Sequence, residues 1–174
     1  MSKIELINGS SIEQKVDAIV NAANKHLYPG GGVCGAIFNK AGYNELTDAC
    51  SKIKTPLNDG DAVITPAFNI SNAKYIIHAV GSNFSITPNA FDSLFNAYYN
   101  SLVLLRNNNI HSISFPLISS GIYGGSLDNP VRVSTEQCIK AYEEFTKKYD
   151  YEIKVLLCAF TKDEMFFAKE VFKW

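Results

Sequence analysis

Two glycine-rich segments and one amide-bearing turn hold the residues whose types and spacing could do chemistry. The segments are Pro29-Gly30-Gly31-Gly32 and Ser119-Ser120-Gly121-Ile122-Tyr123-Gly124-Gly125, each following an apolar run and preceding a stretch of helical period. Glycine lets the backbone come close to a ligand and adopt positive φ, so that successive N–H groups surround phosphate oxygens. A diphosphate could be held in this way without any lysine. Each loop taken alone is also compatible with plain turns. Neither has the Lys-Ser/Thr ending of a P-loop or the G-x-G-x-x-G spacing of a dinucleotide fold, so NTPase, kinase and Rossmann dehydrogenase chemistry lose their main support. The amide-bearing turn ends the run Val16-Asp17-Ala18-Ile19-Val20-Asn21-Ala22-Ala23-Asn24, just ahead of the first loop.

The elements that must position these loops are legible as alternating β-branched runs and segments of helical period. That pattern is expected when helices cover both faces of a largely parallel sheet, so the fold class is α/β. Strands are expected at Lys3–Ile7, Ala18–Asn21, Ala62–Thr65, Tyr75–Ala79, Ser112–Phe115 and Lys154–Ala159. Helices are expected at Val33–Ala41, Tyr43–Lys52, Phe91–Asn107, Val131–Tyr149 and Asp163–Phe172, with Pro130 suited to open the fourth. Both glycine loops then fall at the carboxyl ends of strands, where open α/β sheets bind ligands.

At 174 residues the chain suits one domain, 1–174. The stretch Gly81–Asn89 is too short for a linker. The 47% hydrophobic composition contains no run long enough to span a membrane, and Met1–Ser11 lacks a secretory pattern, so a cytoplasmic location is expected. Cys34, Cys50, Cys138 and Cys158 are scattered without a CxxC pair or a zinc spacing, and are read as reduced thiols with no metal site. With 16 basic against 17 acidic residues there is no global field to hold long nucleic acid. His78 lies within an apolar run and reads as a hydrogen-bonded core residue. His26 and His111 read as solvent-facing. Asn21, at a strand end, reads as bracing the following loop through nearby backbone.

The segment Val16–Asn24 with its continuation Gly30-Gly31-Gly32-Val33-Cys34-Gly35-Ala36-Ile37-Phe38 resembles the macrodomain signature, and specifically the MacroD-type branch of that family. Further matches follow in the family's order: Ala62–Pro66, Ala73–Gly81 and Phe115–Gly124. The resemblance covers essentially the whole chain. It implies a three-layer α/β/α sandwich with a mixed, mostly parallel sheet of about six strands, and a cleft for ADP-ribose across its crest. It further implies a monomer that needs no cofactor, with ADP-ribose or an ADP-ribosylated protein or small molecule as partner.

By that resemblance Asn24 hydrogen-bonds the distal ribose, Gly31 and Gly32 line it, and Ser119, Ser120, Gly121, Ile122, Tyr123 and Gly124 wrap the diphosphate. Phe160 would stack on adenine, which contributes on the order of 1–3 kcal/mol. Ser10, Ser11, Ala22, Gly30 and Val33 complete the implied ligand-binding set, and Asn24, Gly32 and Cys34 the implied catalytic set. Two departures stand out. Gly9-Ser10-Ser11 replaces the family's Gly-Asp-Ile, so an uncharged hydroxyl takes the place of the carboxylate that meets the adenine amino group, and weaker adenine discrimination is expected. Cys34 stands where hydrolytic members carry an aspartate proposed to activate water. A thiol is a poor general base at neutral pH, and His26 is the one nearby base in sequence that could pair with it as a nucleophile. The expected activity is hydrolysis, removing ADP-ribose from proteins or the acyl group from O-acyl-ADP-ribose, with the substrate's own phosphate orienting water. A non-catalytic reader of ADP-ribose is the alternative.

Overall fold

The computed structural model describes residues 1–172. Six strands form one mixed sheet: β1 (Lys3–Asn8), β2 (Ala18–Ala23), β3 (Ala62–Pro66), β4 (Tyr75–Val80), β5 (Ser112–Phe115) and β6 (Lys154–Ala159). Their spatial order is β1-β6-β5-β2-β4-β3. All neighbours run parallel except β3, which lies antiparallel to β4 at one edge.

Five helices flank the sheet: α1 (Gly32–Ala41), α2 (Tyr43–Ser51), α3 (Ala90–Asn107), α4 (Pro130–Lys148) and α5 (Lys162–Val171). Period-two alternation along the strands assigns side chains to two separate cores. Ile19 and Ala23 of β2, Ile76 and Val80 of β4, and Leu156 and Cys158 of β6 meet Ile37 and Phe38 of α1 and Leu46 of α2. Ala18, Val20, Ile77, Ala79, Val155 and Leu157 face Leu94, Tyr98 and Leu102 of α3 and Cys138, Ala141 and Phe145 of α4, with Met165 of α5 packed at the margin. Strands covered on both faces must read as continuous apolar runs, as these do.

The helix ends have local causes. Asn129 caps α4 by accepting the Arg132 N–H, with Pro130 in the first turn. Thr161 and Glu164 form a reciprocal capping box that starts α5.

The expected boundaries move by one or two residues at the strand ends, where β1, β2, β3 and β4 each run further than expected. β2 continues through Ala22 and Ala23 because their partners Ala79 and Val80 in β4 extend the ladder. The helices shift by one residue at most. Thus α1 begins at Gly32 rather than Val33, and α5 ends at Val171, one residue short of Phe172. Two short 3₁₀ turns, Ser11–Glu13 and Ile122–Gly124, carry no sequence period of their own. All four cysteines are free and buried, as expected of reduced thiols. Burial pushes the Cys158 thiol up to about 12 and the Cys50 thiol to about 11, so neither is a thiolate at neutral pH.

Candidate functional site

From β2 the chain leaves toward β3 and β4, and from β5 it leaves toward β6 on the opposite side. Two adjacent strands whose exits diverge make a topological switch point, and the crevice above it is where such sheets bind ligands. Residues 24–31, between β2 and α1, form one wall of this crevice. Ser119–Gly124, beyond β5, forms the other.

The first wall is held by Asn24. Its Oδ1 accepts the N–H of His26 at 3.1 Å and of Tyr28 at 3.0 Å, and its Nδ2 donates to the Tyr28 carbonyl at 2.8 Å. Both acceptor lone pairs are therefore engaged within the loop, and one amide hydrogen is left to offer. Gly31 and Gly32 follow, exposed, and α1 starts without a side-chain cap, so its first amides point out unpaired. Gly35 carries no side chain for a packing reason, since a Cβ there would stand 2.5 Å from the Gly30 carbonyl oxygen. Gly31 has no such reason. Its φ of -91° and ψ of -174° are extended backbone open to any residue, and a Cβ would meet nothing within 4 Å. In the loop after β5, Gly121 is equally open.

The second wall is rigid at its base. Ser119, at φ 61°, donates its hydroxyl to the Ser82 carbonyl at 2.6 Å, and Ser120 donates to the Leu117 carbonyl at 2.7 Å. Above them Ile122 and Tyr123 are exposed at 93% and 44%, so Tyr123 is not a core aromatic. Gly124 is buried against Pro130, whose Cβ would lie 2.6 Å from an added methyl.

Further along the rim Phe160 projects at the end of β6 with 71% of its surface exposed, which excludes a core role. Its N–H donates to Glu164 Oε1 at 3.0 Å, fixing its backbone. Ser10 is half-buried, and its carbonyl accepts the Gln14 side-chain amide at 3.0 Å. Ser11 is turned inward, 5% exposed, with its carbonyl held by Ser114 at 2.6 Å. Ala22 is half-buried within β2, and Val33 is exposed in the first turn of α1.

Cys34 lies in the first turn of α1, 7% exposed in the core beneath the glycine loop, and its thiol lies 3.7 Å from the Tyr28 carbonyl. His26 is not its partner. That ring is exposed and stacks on Tyr28 at 5.3 Å between centroids. The thiol–imidazole pair considered from sequence is absent because the loop turns His26 outward. His111 is exposed, as expected.

Asn21 corrects the sequence reading in a different way. Instead of bracing the loop through nearby backbone, its Nδ2 lies 3.0 Å from Nδ1 of His78, its partner in the β2–β4 ladder. An amide nitrogen only donates, so Nδ1 accepts and Nε2–H donates to Thr65 Oγ1 at 3.0 Å. This buried chain crosses three strands just beneath the cleft. Desolvation lowers the His78 pKa from 6.5 to about 4, so the ring stays neutral and cannot serve as an acid near neutral pH. Asn21 Oδ1 has no partner among the described residues. No cluster of three or more metal-ligating side chains occurs among them either.

A six-stranded mixed sheet between two helical layers, with a glycine-walled crevice at its switch point, defines an α/β/α ligand-binding domain. The chain belongs to the Macro domain family, whose model matches residues 20–134. It is 40% identical over 152 residues to a Salmonella typhimurium protein named O-acetyl-ADP-ribose deacetylase, covering 85% of this chain and 82% of that one. It is 38% identical over 161 residues to Xenopus laevis ADP-ribose glycohydrolase MACROD2, covering 91% of this chain but 37% of the relative. Among solved structures, the Oceanobacillus iheyensis macrodomain with ADP superposes with a TM-score of 0.86 at 31% identity, covering 97% of this chain and 89% of that one. No helix among the described residues is long and apolar enough to cross a membrane.

Proposed function

We propose that this chain is a single-domain, monomeric ADP-ribosyl hydrolase that binds ADP-ribose along the rim of its sheet and releases it from a protein side chain or from a small acyl ester. One observation carries the reading. Gly31 needs glycine neither for its dihedrals nor for protein packing, so the missing side chain leaves room for a ligand to approach the backbone. The O-acetyl-ADP-ribose deacetylase and ADP-ribose glycohydrolase names of the relatives supply the ligand class. In this reading Phe160 stacks on adenine beside Ser10, the amides of Ser119–Tyr123 and the start of α1 hold the diphosphate, Gly124 letting the chain turn beneath them, and the free Asn24 amide hydrogen meets the distal ribose. The cleft supplies positioning, which accelerates attack by bringing water and the acyl or glycosyl carbon together without a strong base.

A reader without turnover is favoured by one feature only: the Cys34 thiol is buried and turned to a carbonyl, where it cannot take a proton from water. Calorimetric titration with ADP-ribose, with AMP and ADP as controls, and then release of labelled ADP-ribose from an automodified transferase separates the two. Micromolar binding with release supports the hydrolase, and binding without release supports the reader. Gly31→Ala gives an independent check, because the fold should melt as the wild type does while ADP-ribose affinity falls. Unchanged affinity in that variant would overturn the placement of the ligand.

A further inference from the structure

Along the upper rim the loops follow strand order. Ser10 follows β1, Phe160 follows β6, Ser119–Gly124 follows β5 and Asn24 follows β2. Next comes Gly81, after β4. Since β3 runs the opposite way, its start rather than its end reaches this rim, and it brings Asp59 there. A nucleotide laid over the first four strands ends with its distal ribose at Asn24 and Tyr123. Two strands of rim remain beyond it, about 10 Å at about 4.8 Å per strand.

That remaining rim is hollow. A cavity of 230 Å³ shares Asn24 and Tyr123 with the cleft and runs away from the diphosphate loop to Lys25, Asp59, Asn83 and Thr87. Its wall is tied together. The Asp59 side chain is only 16% exposed, its Oδ1 lying 3.5 Å from Lys25 Nζ while its Oδ2 accepts the Thr87 hydroxyl at 2.8 Å. Thr87 Oγ1 in turn accepts the Asn83 N–H at 2.9 Å. The Phe84 N–H donates to the Tyr123 carbonyl at 2.9 Å, which ties this wall to the diphosphate wall. Lys25 neutralises Asp59, leaving a pocket rich in donors and acceptors without net charge.

We infer that this cavity, built by Lys25, Asp59, Asn83 and Thr87, is an acceptor subsite. It receives the amino-acid side chain through which ADP-ribose is attached to a protein, and its wall residues set a preference for the modified polypeptide over a small acyl ester. The inference rests on the reading of the cleft as the ADP-ribose site. Size supports it: at about 30 Å³ per water the cavity holds roughly seven or eight waters, well beyond what an acetyl group would displace. Chemistry supports it too, because ester or amide groups and peptide flanks need the mixed donors and acceptors that this wall presents. Ile86, 78% exposed, lines the mouth where the flanking chain would pass.

The test narrows the mouth of the pocket without removing any of its side-chain hydrogen bonds. Ile86→Trp is compared with wild type in three measurements: affinity for free ADP-ribose, hydrolysis of O-acetyl-ADP-ribose, and release of ADP-ribose from an automodified transferase. Affinity and ester hydrolysis should stay within about twofold, while release from protein falls at least about tenfold in kcat/KM, through KM. Asp59→Asn, which leaves Lys25 unpaired, should lower the protein reaction in the same selective way. If the chain turns nothing over, the same contrast is read as affinity for the modified protein against affinity for free ADP-ribose. Parallel loss of both reactions, or no change in either, overturns the subsite. Failure of the wild type to bind free ADP-ribose would instead overturn the cleft reading beneath it.

Discussion

Replacing Asn24 separates its two duties. In the free protein its amide makes three hydrogen bonds within its own loop: two accepted from the His26 and Tyr28 N–H groups and one donated to the Tyr28 carbonyl. A net contribution of about 0.5–1.5 kcal/mol per bond applies, at the low end here because the loop is exposed and water replaces the lost partners. Asn24→Ala should therefore cost about 1.5 kcal/mol, a fall in Tm of about 3–6 °C for a domain of this size. Asn24→Asp keeps both accepted bonds but loses the donor and sets a carboxylate against the Tyr28 carbonyl. It should recover part of the stability and none of the affinity, because the ribose bond needs the amide hydrogen. Thermal melts paired with ADP-ribose titration read both effects. Wild-type affinity in Asn24→Asp, or a wild-type Tm in Asn24→Ala, would refute the assignment of separate donor and acceptor roles.

Phe160→Ala should leave Tm unchanged, since the ring is largely exposed, while weakening ADP-ribose binding by roughly 5- to 150-fold, the equivalent of about 1–3 kcal/mol of lost stacking; titration against ADP-ribose checks it. Cys34→Asp buries a carboxylate beside the Tyr28 carbonyl, and the first-turn amides of α1 offset only about 0.3–1 kcal/mol of that. A lower Tm is expected by differential scanning calorimetry, with turnover raised if a carboxylate here activates water. His78 stays neutral in the fold down to about pH 4, whereas the unfolded chain takes up the proton below about 6.5. Stability from this group is complete above pH 6.5 and falls as pH drops, by about 2 kcal/mol at pH 5. Urea melts of wild type and His78→Gln across that window should show the slope lost in the variant.

The layer order and the two glycine loops were legible because buried parallel strands leave an unambiguous apolar signature and because glycine clusters interrupt it. Phe160 is exposed at the end of β6 and Asn24 lies in the loop after β2, as their sequence neighbours suggest, whereas Cys34 is buried beneath the glycine loop. What could not be read was set by which strands become neighbours. Asn21 bonds His78 because β2 pairs with β4, a fact absent from either segment, so a local turn role was the natural expectation. Asp59 and Thr87 were missed for the same reason. Each is an ordinary loop residue until the reversed β3 brings the two within 2.8 Å. The inward turn of Ser11 depends on a serine 103 residues away that accepts no part in any local motif.

The reversal of β3 also divides the molecule for purposes of change. The walls proposed to hold the nucleotide follow β5, β6 and β2, whereas residues 52–61 lead into β3 at the free edge of the sheet. Side-chain substitutions in that connector could reshape what lies beyond the ribose, whereas its backbone is tied to the Asn24 loop, the Leu57 N–H donating to the Lys25 carbonyl at 2.8 Å. On the proposed reading, a library confined to residues 52–61 would vary the Asp59 side of the acceptor wall, while Lys25, Asn83 and Thr87 stay tied to the loops that meet the nucleotide.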